Sequence, residues 1–248
     1  MRIITTITGY LGLFLANVIF ATLVLIVAFI DRKGLLWWPF ARMWGKVIYW
    51  GALTPIDARG FEQLGWDEPA ILMPNHESYL DVPALMASCP VPLRFVARKE
   101  VFKAPIMGAA MWATGQISID RGNQAQAIES LRAAAKTVAR GRTVLLFPEG
   151  TRSRDGTLGT FKKGGFMLAI ESGAPIIPIG LAGTRGLVPR GTWMYTRSRV
   201  ALVVGEPIST KDMTVDDRDR LMEMVRDRIE MAREAAQSRL SSLTRGEA

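Results

Sequence analysis

Hydrophobic positions divide the chain into an unbroken apolar run, an aromatic-rich segment, and a long stretch in which short apolar runs alternate with amphipathic segments. From Ile3 to Ile30 there is no charged residue. A helix of this length, at about 1.5 Å per residue, exceeds the roughly 30 Å thickness of a hydrocarbon core. A cleaved signal peptide has a shorter apolar core followed by small residues, a pattern that this run lacks. We therefore predict a retained membrane anchor; the alternative is a helix buried in a protein core.

The aromatic-rich segment, GLLWWPFARMWGKVIYWGALTP at residues 34–55, holds four of the seven tryptophans. Arg42 and Lys46 lie among them. Aromatic and basic side chains together favour the headgroup region of a bilayer, so we predict a second helix that lies in the interface, with Gly34 at the bend. A second membrane span is less favoured, because it would bring Arg42 and Lys46 near the bilayer centre.

From about residue 57 onward, short apolar runs alternate with helical segments. Six runs are predicted as strands, at residues 70–74, 93–97, 116–120, 143–148, 175–183 and 199–205. Five segments are predicted as helices, at residues 79–88, 102–114, 124–140 and 164–172 and from Asp216 onward. Strands that alternate with helices are typical of an α/β domain. We predict a mostly parallel or mixed sheet flanked by helices and preceded by a two-helix membrane motif.

The predicted division of the chain is a membrane-anchoring motif at residues 1–55 and an α/β domain at residues 56–248. Hydrophobic residues make up 49% of the chain, more than a soluble enzyme needs, which supports the anchor. Arg32 and Lys33, which follow the apolar run, favour a cytoplasmic main domain. Cys89 is the single cysteine, so no disulfide can form within the chain, in keeping with a reducing compartment.

The net charge of +8 favours a phosphate-bearing partner, whether an anionic lipid, a phosphorylated metabolite or a nucleic acid. The basic residues of the α/β region are scattered and have matching acids. They form no stripe of basic and aromatic residues of the kind that binds nucleic acid. Nucleic acid is therefore disfavoured as a partner.

The stretch ILMPNHESYLDVP, residues 71–83, contains the only histidine of the chain. A predicted strand ends just before Asn75 and His76, which places them at the sheet edge where α/β proteins usually bind ligands. In one interpretation His76 is a solvated loop residue, and Asp81 belongs to a helix cap that begins at Ser78. In the other, the Asp81 carboxylate orients the imidazole and supports the charge it gains on taking up a proton.

Three further predicted strands end in charged residues. Each charge alone is typical of a solvated surface. Together with the His–Asp pair, however, several phosphate-suited side chains at strand ends indicate a site for a phosphate, which the planar fork of an arginine fits well. The cations are Arg152 in FPEGTRS, Arg121 in GQISIDR and Lys99 in VARKEVF, and Glu149, Gly150 and Thr151 share the FPEGTRS loop with Arg152.

The motifs resemble those of the glycerolipid acyltransferase family. NHESYLD is similar to its NHxxxxD motif, GQISIDR to its second motif, FPEGTRS to its third and APIIPIGLAG to its fourth. They occur in the family's order over roughly residues 60–210. HxxxxD alone occurs by chance, but four motifs together are specific. Within the family, FPEGTRS and the N-terminal segment are most similar to bacterial enzymes that acylate 1-acyl-sn-glycerol 3-phosphate.

The resemblance implies a role for each motif residue. His76 would be the general base that deprotonates the 2-hydroxyl of the acceptor, and Asp81 would support the imidazolium. Asn75 would shape the loop that holds the histidine. The acceptor site would be built by Glu149, Gly150, Thr151 and Arg152, its phosphate would be bound by Arg152 and Arg121, and Lys99 would be a second phosphate or oxyanion contact.

The resemblance also implies the partners and the location. The acyl donor would be acyl-CoA or acyl carrier protein, the product would be phosphatidic acid, and no metal or other cofactor would be needed. The expected location is the bacterial inner membrane, with the catalytic domain on its cytoplasmic face. The Met-rich segment at residues 104–114 would line an acyl groove or form ordinary helix core.

Two alternatives remain open. One is an acyltransferase of the same family with another acceptor, such as lyso-ornithine lipid, another lysophospholipid or glycerol 3-phosphate. The other is a membrane-tethered lipid-binding protein that retains the fold without catalysis. An intact His–Asp pair argues against the second alternative.

Overall fold

The computed structural model describes residues 2–31, 34–120, 122–189 and 191–245. A long N-terminal helix is formed by α1 (Arg2–Leu15), a π-helical turn (Ala16–Phe20) and α2 (Ala21–Ala28). By length and composition it is the one helix in the described ranges that could cross a membrane. The next helix, α3 (Trp38–Gly51), has Pro39 in its first turn, where a backbone N–H has no partner within the helix.

Within the described ranges, seven strands form one mixed sheet in the order β1-β7-β6-β2-β5-β3-β4. Neighbouring strands are parallel except for β6 and β7, which are antiparallel. The α/β class and the mixed sheet predicted from the sequence are thus confirmed. The strands are β1 (Ile56–Arg59), β2 (Ile71–Pro74), β3 (Leu93–Arg98), β4 (Ile117–Ile119), β5 (Thr143–Leu145), β6 (Ile176–Ala182) and β7 (Val200–Val204).

The remaining helices are α4 (Asp81–Ser88), α5 (Met107–Ala113), α6 (Gln124–Ala139), α7 (Gly164–Ser172), α8 (Thr184–Leu187) and α9 (Arg218–Arg245), with 3-10 turns at Phe61–Gln63, Val101–Lys103 and Val215–Asp217. Helices cover both faces of the sheet. Successive side chains of β2 point to opposite faces, so Leu72 packs with the α3–α5 layer while Ile71 and Met73 pack with α6, α7 and α9.

The N-terminal helices share a hydrophobic core with the α/β domain. Ile48 of α3 belongs to the same buried cluster as Leu85 of α4. The two helices approach closely at Gly45, where a Cβ would lie 2.4 Å from the carbonyl oxygen of Pro83. The predicted division at residue 55 falls directly before β1 and stays a prediction.

Most aromatic side chains of the segment 34–55 face protein. Trp37 and Trp38 are 1% and 4% exposed and Tyr49 is 2% exposed, whereas Trp50 is 77% exposed. Much of the aromatic surface on which the predicted membrane interface was based is therefore buried against α4 and the sheet. The position of α3 in a membrane interface stays a prediction, and it now rests on the exposed side chains of the helix, such as Trp50.

All six predicted strands are present, but two details of the prediction are wrong. The prediction missed β1, a four-residue edge strand whose charged side chains at Asp57 and Arg59 hide the usual apolar pattern. The continuous helix predicted at residues 102–114 is broken, because Pro105 has no N–H to donate and Ile106 adopts a φ of 60°. The chain instead forms a 3-10 turn followed by α5.

Helix α9 packs directly on β6 at a glycine. A Cβ at Gly180 would lie 2.1 Å from the carbonyl carbon of Ala232 in α9. Every residue of β6 is buried, so a side chain at this position would have to displace the helix. Close packing of α9 on the sheet therefore depends on the absence of a side chain at Gly180.

The substitution Gly180→Ala is expected to lower the free energy of unfolding by about 1–3 kcal/mol, because a methyl group forces α9 away from a packed strand. Denaturation of the detergent-solubilised variant measures the loss. Gly65→Ala is the matched control, since Gly65 is exposed and its Cβ would meet nothing nearer than an Asp67 oxygen at 4.0 Å. Equal stability of the two variants would contradict this account of α9.

Candidate active site

Four adjacent parallel strands, in the order β2-β5-β3-β4, place their carboxyl ends at one edge of the sheet. Neighbouring strands lie about 4.8 Å apart, so the loops that leave them are close neighbours. The loop after β2 carries His76, and the loop after β5 carries Glu149 and Arg152. Lys99 and Asp120 follow β3 and β4. The strand order thus assembles side chains that are distant in the sequence.

His76 and Asp81 form a buried pair at this edge. Nδ1 of His76 lies 2.7 Å from Oδ2 of Asp81. The Asp81 side chain has no exposed surface, whereas 15% of the His76 side chain is exposed. A carboxylate can only accept at Nδ1, so this ring nitrogen carries the proton and Nε2 is the nitrogen left to take one up.

The same carboxylate oxygen also holds the backbone before α4. Oδ2 of Asp81 accepts the N–H of Glu77 at 2.7 Å and the N–H of Ser78 at 2.9 Å. The two interpretations of Asp81 left open by the sequence are therefore compatible, since one carboxylate both caps the turn and contacts the imidazole. Three donors at one oxygen stabilise a charge that burial would otherwise disfavour.

Asn75 ties the histidine loop to β6. Its Oδ1 accepts the N–H of Leu181 at 2.7 Å and its Nδ2 donates to the carbonyl oxygen of the same residue at 3.0 Å. The residue is buried. Asn75 thus fixes the point at which the chain leaves β2 and turns into the loop.

Glu149 holds the main chain of His76. Its Oε1 accepts the N–H of His76 and its Oε2 accepts the N–H of Gly159, each at 2.8 Å. Burial raises the pKa of Glu149, and the two N–H donors counter this by favouring the carboxylate. Ser153 adds a second link, because its N–H donates to the carbonyl oxygen of His76 at 2.7 Å. Glu149 therefore holds the backbone of the histidine loop in place. Its contact with a substrate stays a prediction.

Gly150 and Thr151 connect this support to Arg152. Gly150 adopts a φ of 68°, in the left-handed region that favours glycine, and Thr151 is exposed. The guanidinium carbon of Arg152 lies 3.5 Å from the centroid of the Tyr79 ring, within the NHESYLD loop. Among the described residues Arg152 has no carboxylate partner, so its N–H donors remain available to an anion.

Lys99 lies at the same edge and is paired. Its Nζ donates to Oδ2 of Asp120 at 2.5 Å. This hydrogen bond raises the pKa of Lys99 and lowers the pKa of Asp120. Arg121, predicted as a phosphate contact, lies outside the described residues. The substrate-binding roles of both cations stay predictions.

Three side chains that contact the NHESYLD segment were not predicted from the sequence. The Phe147 ring stacks on the imidazole with centroids 3.8 Å apart. Tyr49 of α3 donates its hydroxyl to the carbonyl oxygen of Leu80 at 2.8 Å. Glu77 accepts a hydrogen bond from Asn75 at 3.3 Å. Phe147 and Glu77 lie within the motifs FPEGTRS and NHESYLD, so their positions could have marked them as site residues. Tyr49 lies outside the motifs, and its tertiary contact leaves no signal in the sequence.

An apolar cavity of about 40 Å³ lies between α2, α3 and α5. Met107 and Met111 of the predicted acyl-groove segment contribute to its wall, opposite Val24 and Trp44. Within the described ranges, no group of three or more His, Cys, Asp or Glu side chains could hold a metal ion.

The comparisons with known proteins agree with this fold. A sequence model of the Acyltransferase family matches residues 55–182. The chain is 35% identical to a 1-acyl-sn-glycerol-3-phosphate acyltransferase of Limnanthes douglasii, over 85% of this chain and 78% of the relative. It is 31% identical to human 1-acyl-sn-glycerol-3-phosphate acyltransferase alpha, over 69% of this chain and 61% of the relative.

A further relative is longer than this chain, and one solved structure is nearly the same length. Identity to the chloroplastic acyltransferase BAT2 of Brassica napus is 32%, over 74% of this chain but only 54% of that protein. The crystal structure of the 1-acyl-sn-glycerophosphate acyltransferase PlsC from Thermotoga maritima superposes with a TM-score of 0.78 at 26% identity, covering 93% of this chain and 97% of that one. The fold and the matches identify an enzyme that transfers acyl groups, and the chain belongs to the acyltransferase family.

Glu77, next to the histidine, has a perturbed acidity. Burial and the Asp81 carboxylate raise the pKa of Glu77 from 4.5 to about 7, although Arg233 and Arg185 act in the opposite direction and Glu149 adds a smaller repulsion. The folded protein therefore holds this proton more tightly than the unfolded chain does. The stability that this provides is fully present below pH 4.5 and is lost as the pH rises through about 7.

We expect the substitution Glu77→Gln to remove this pH dependence. Glutamine keeps an oxygen for Asn75 but carries no charge, so the variant gains stability relative to wild type as the pH rises from 4.5 to about 7. Denaturation midpoints of both proteins, measured side by side across this interval, give the difference. A difference that stays constant with pH would show that Glu77 titrates normally in the folded protein.

Proposed function

We propose that the chain transfers an acyl group to the 2-hydroxyl of 1-acyl-sn-glycerol 3-phosphate and so makes phosphatidic acid. The names of the relatives support this acceptor. The observation that carries the mechanism is the His76–Asp81 pair, in which a buried carboxylate engages Nδ1 and leaves Nε2 of a partly exposed imidazole to act as a base.

In the proposed reaction, Nε2 of His76 removes the proton of the acceptor hydroxyl. The alkoxide oxygen attacks the carbonyl carbon of the acyl thioester, and the tetrahedral intermediate expels the thiolate. The imidazolium then returns its proton to the thiolate, so the products are the ester and a free thiol. Asp81 stabilises the imidazolium while it exists, and no acyl-enzyme is required.

We assign the phosphate of the acceptor to Arg152. Its guanidinium stacks on Tyr79 of the histidine loop and has no carboxylate partner among the described residues, so the fork can accept a phosphate beside the base. Arg121 and Lys99 are proposed as additional contacts. Lys99 would have to exchange its bond to Asp120 for one to the substrate.

The acyl chain is assigned to the space between α2, α3 and α5. The wall there is apolar and rich in methionine, whose side chains adapt to different occupants. The present cavity of about 40 Å³ is far smaller than the roughly 300 Å³ at which ligand pockets begin. Binding a chain there would require these helices to move apart.

We propose that α1 and α2 lie along the membrane surface beside the catalytic domain. The Tyr10 hydroxyl donates to the carbonyl oxygen of Trp193, and Thr6 accepts the N–H of Tyr195, while α2 packs on α5 at the other end. Both ends of the helix therefore touch the same domain. Its outer face exposes large apolar side chains, among them Ile3, Ile7, Phe14 and Ile26. Immersion of this face would bring the site to its lipid acceptor, at the cytoplasmic surface of a bacterial inner membrane.

The reaction is tested with the full-length, detergent-purified protein, 1-acyl-sn-glycerol 3-phosphate and either acyl-CoA or acyl carrier protein as donor. Phosphatidate and free thiol are measured together. We expect His76→Ala and Asp81→Asn to lower the turnover rate by on the order of 10²–10⁴-fold, because each removes part of the general base. Asp67→Asn, a change of an exposed aspartate, should leave the rate unchanged.

Full activity in folded His76→Ala would rule out the proposed base. Turnover of lyso-ornithine lipid or glycerol 3-phosphate in preference to the proposed acceptor would move the assignment to another acyltransferase of the family. Binding of lysolipid without turnover by either donor would favour a lipid-binding protein.

A further inference from the structure

Three arginines beyond the matched family segment hold the loop that follows FPEGTRS. Arg185 of α8 donates to the carbonyl oxygens of residues 154 and 155, at 2.8 Å for the first. Arg233 of α9 donates to the carbonyl oxygen of Gly156 at 2.9 Å, and Arg226 donates to that of Gly159. We call Arg185, Arg226 and Arg233 the arginine clamp, and residues 154–159 the clamped loop.

One side of the clamped loop borders open space, while Leu158 packs against the core on the other. Asp155 and Gly156 line a pocket of about 630 Å³ together with Arg185 and Arg233. Gly156 adopts a φ of 95°, and a Cβ there would lie 3.0 Å from Nη1 of Arg185, so the loop passes close to the guanidinium. The three arginines thus add polar contacts to the backbone at residues 154–156 and at Gly159, on either side of Leu158.

The clamped loop is connected to the catalytic histidine by two hydrogen bonds. The N–H of Gly159 donates to Oε2 of Glu149, and Oε1 of Glu149 accepts the N–H of His76, both at 2.8 Å. The loop begins two residues after Arg152, which is proposed to bind the acceptor phosphate. Displacement of the loop would therefore disturb both the base and the phosphate contact.

Two arginines line this pocket, as they would an anion site, but both are already engaged. Arg233 pairs with Glu230 in addition to the loop, and both Nη atoms of Arg185 donate to carbonyls. The carboxylates of Glu77 and Asp155 also line the pocket. These contacts favour a structural role for the two guanidinium groups over a role in ligand binding.

We propose that Arg185, Arg226 and Arg233 are positioning residues for acyl transfer, which act on His76 through the clamped loop and Glu149. The expected loss of kcat rests on the proposed function. The hydrogen-bonded connection from the arginines to His76 does not depend on the identity of the substrate. The C-terminal helix α9 thereby contributes to the active site without contacting the substrate.

The test compares Arg226→Met and Arg233→Met with Arg228→Met in the full-length protein. Methionine keeps the aliphatic packing of each side chain. Arg228 lies on the same helix, and its ion pair is with Glu206, away from the clamped loop. We expect a loss of kcat of about 10–10²-fold in the two clamp variants, since small misplacements of catalytic groups have this effect. Stability should change no more than in Arg228→Met.

Two further readouts separate positioning from general destabilisation. The chain has one histidine, so ¹⁵N-histidine labelling gives the imidazole signals of His76 alone in protein free of a histidine tag. These signals should shift in Arg226→Met and stay unchanged in Arg228→Met. Arg233→Lys, which keeps a donor for Gly156, should recover part of the activity that Arg233→Met loses.

The outcomes distinguish this inference from the proposed function. Shifted imidazole signals support the arginine clamp even if the chain proves to use another acceptor. Unshifted signals, with kcat values equal to that of Arg228→Met, would overturn it. Activity losses that merely follow a common loss of stability in all three variants would overturn it as well.

Discussion

The Asp81 side chain has no exposed surface, and the rest of the site follows from the need to stabilise its charge. Removal of a carboxylate from water is costly unless donors replace the hydration. Here the donors are the imidazole of His76 and two backbone N–H groups from the turn that precedes α4, all at one oxygen. The turn therefore has to keep its conformation, and the imidazole has to present Nδ1 to the carboxylate. A single buried charge thus fixes both the orientation and the tautomer of the histidine.

The surrounding fold keeps this short segment in place from three sides. Asn75 attaches its start to β6, Glu149 holds the His76 backbone from the loop after β5, and Tyr49 of α3 reaches the carbonyl of Leu80. The last contact links the turn before α4 to the N-terminal helices, whose outer face is apolar and exposed. The part of the chain proposed to contact the membrane and the part proposed to perform the chemistry therefore share one hydrophobic core. The proposed base is thus held by the same elements that are proposed to touch the lipid surface, an arrangement suited to an acceptor that resides in that surface.

The sequence was sufficient for features that depend on local pattern. The six strands other than β1 and the pairing of His76 with Asp81 could be predicted, because apolar runs and a five-residue separation are visible in the sequence itself. The role of Glu149 could not, since its link to His76 joins residues 73 positions apart and depends on β2 and β5 being neighbours. The contacts of the α9 arginines with the clamped loop could not be predicted for the same reason, since they join residues 67 and 77 positions apart. The segment 34–55 shows why its aromatic residues alone do not decide its position: they suit a bilayer interface and a protein core equally well, and Trp37 and Trp38 are buried while Trp50 is exposed.

The most direct test of the central claim is the tautomer of the one histidine in the folded, tag-free protein, determined by ¹⁵N NMR on wild type and Asp81→Asn. The account predicts that the neutral imidazole carries its proton on Nδ1 and leaves Nε2 unprotonated in the wild type, because Nδ1 faces the carboxylate. Loss of the carboxylate should abolish this preference. A wild-type imidazole protonated on Nε2, with a spectrum unaffected by Asp81→Asn, would contradict the arrangement from which the mechanism is derived.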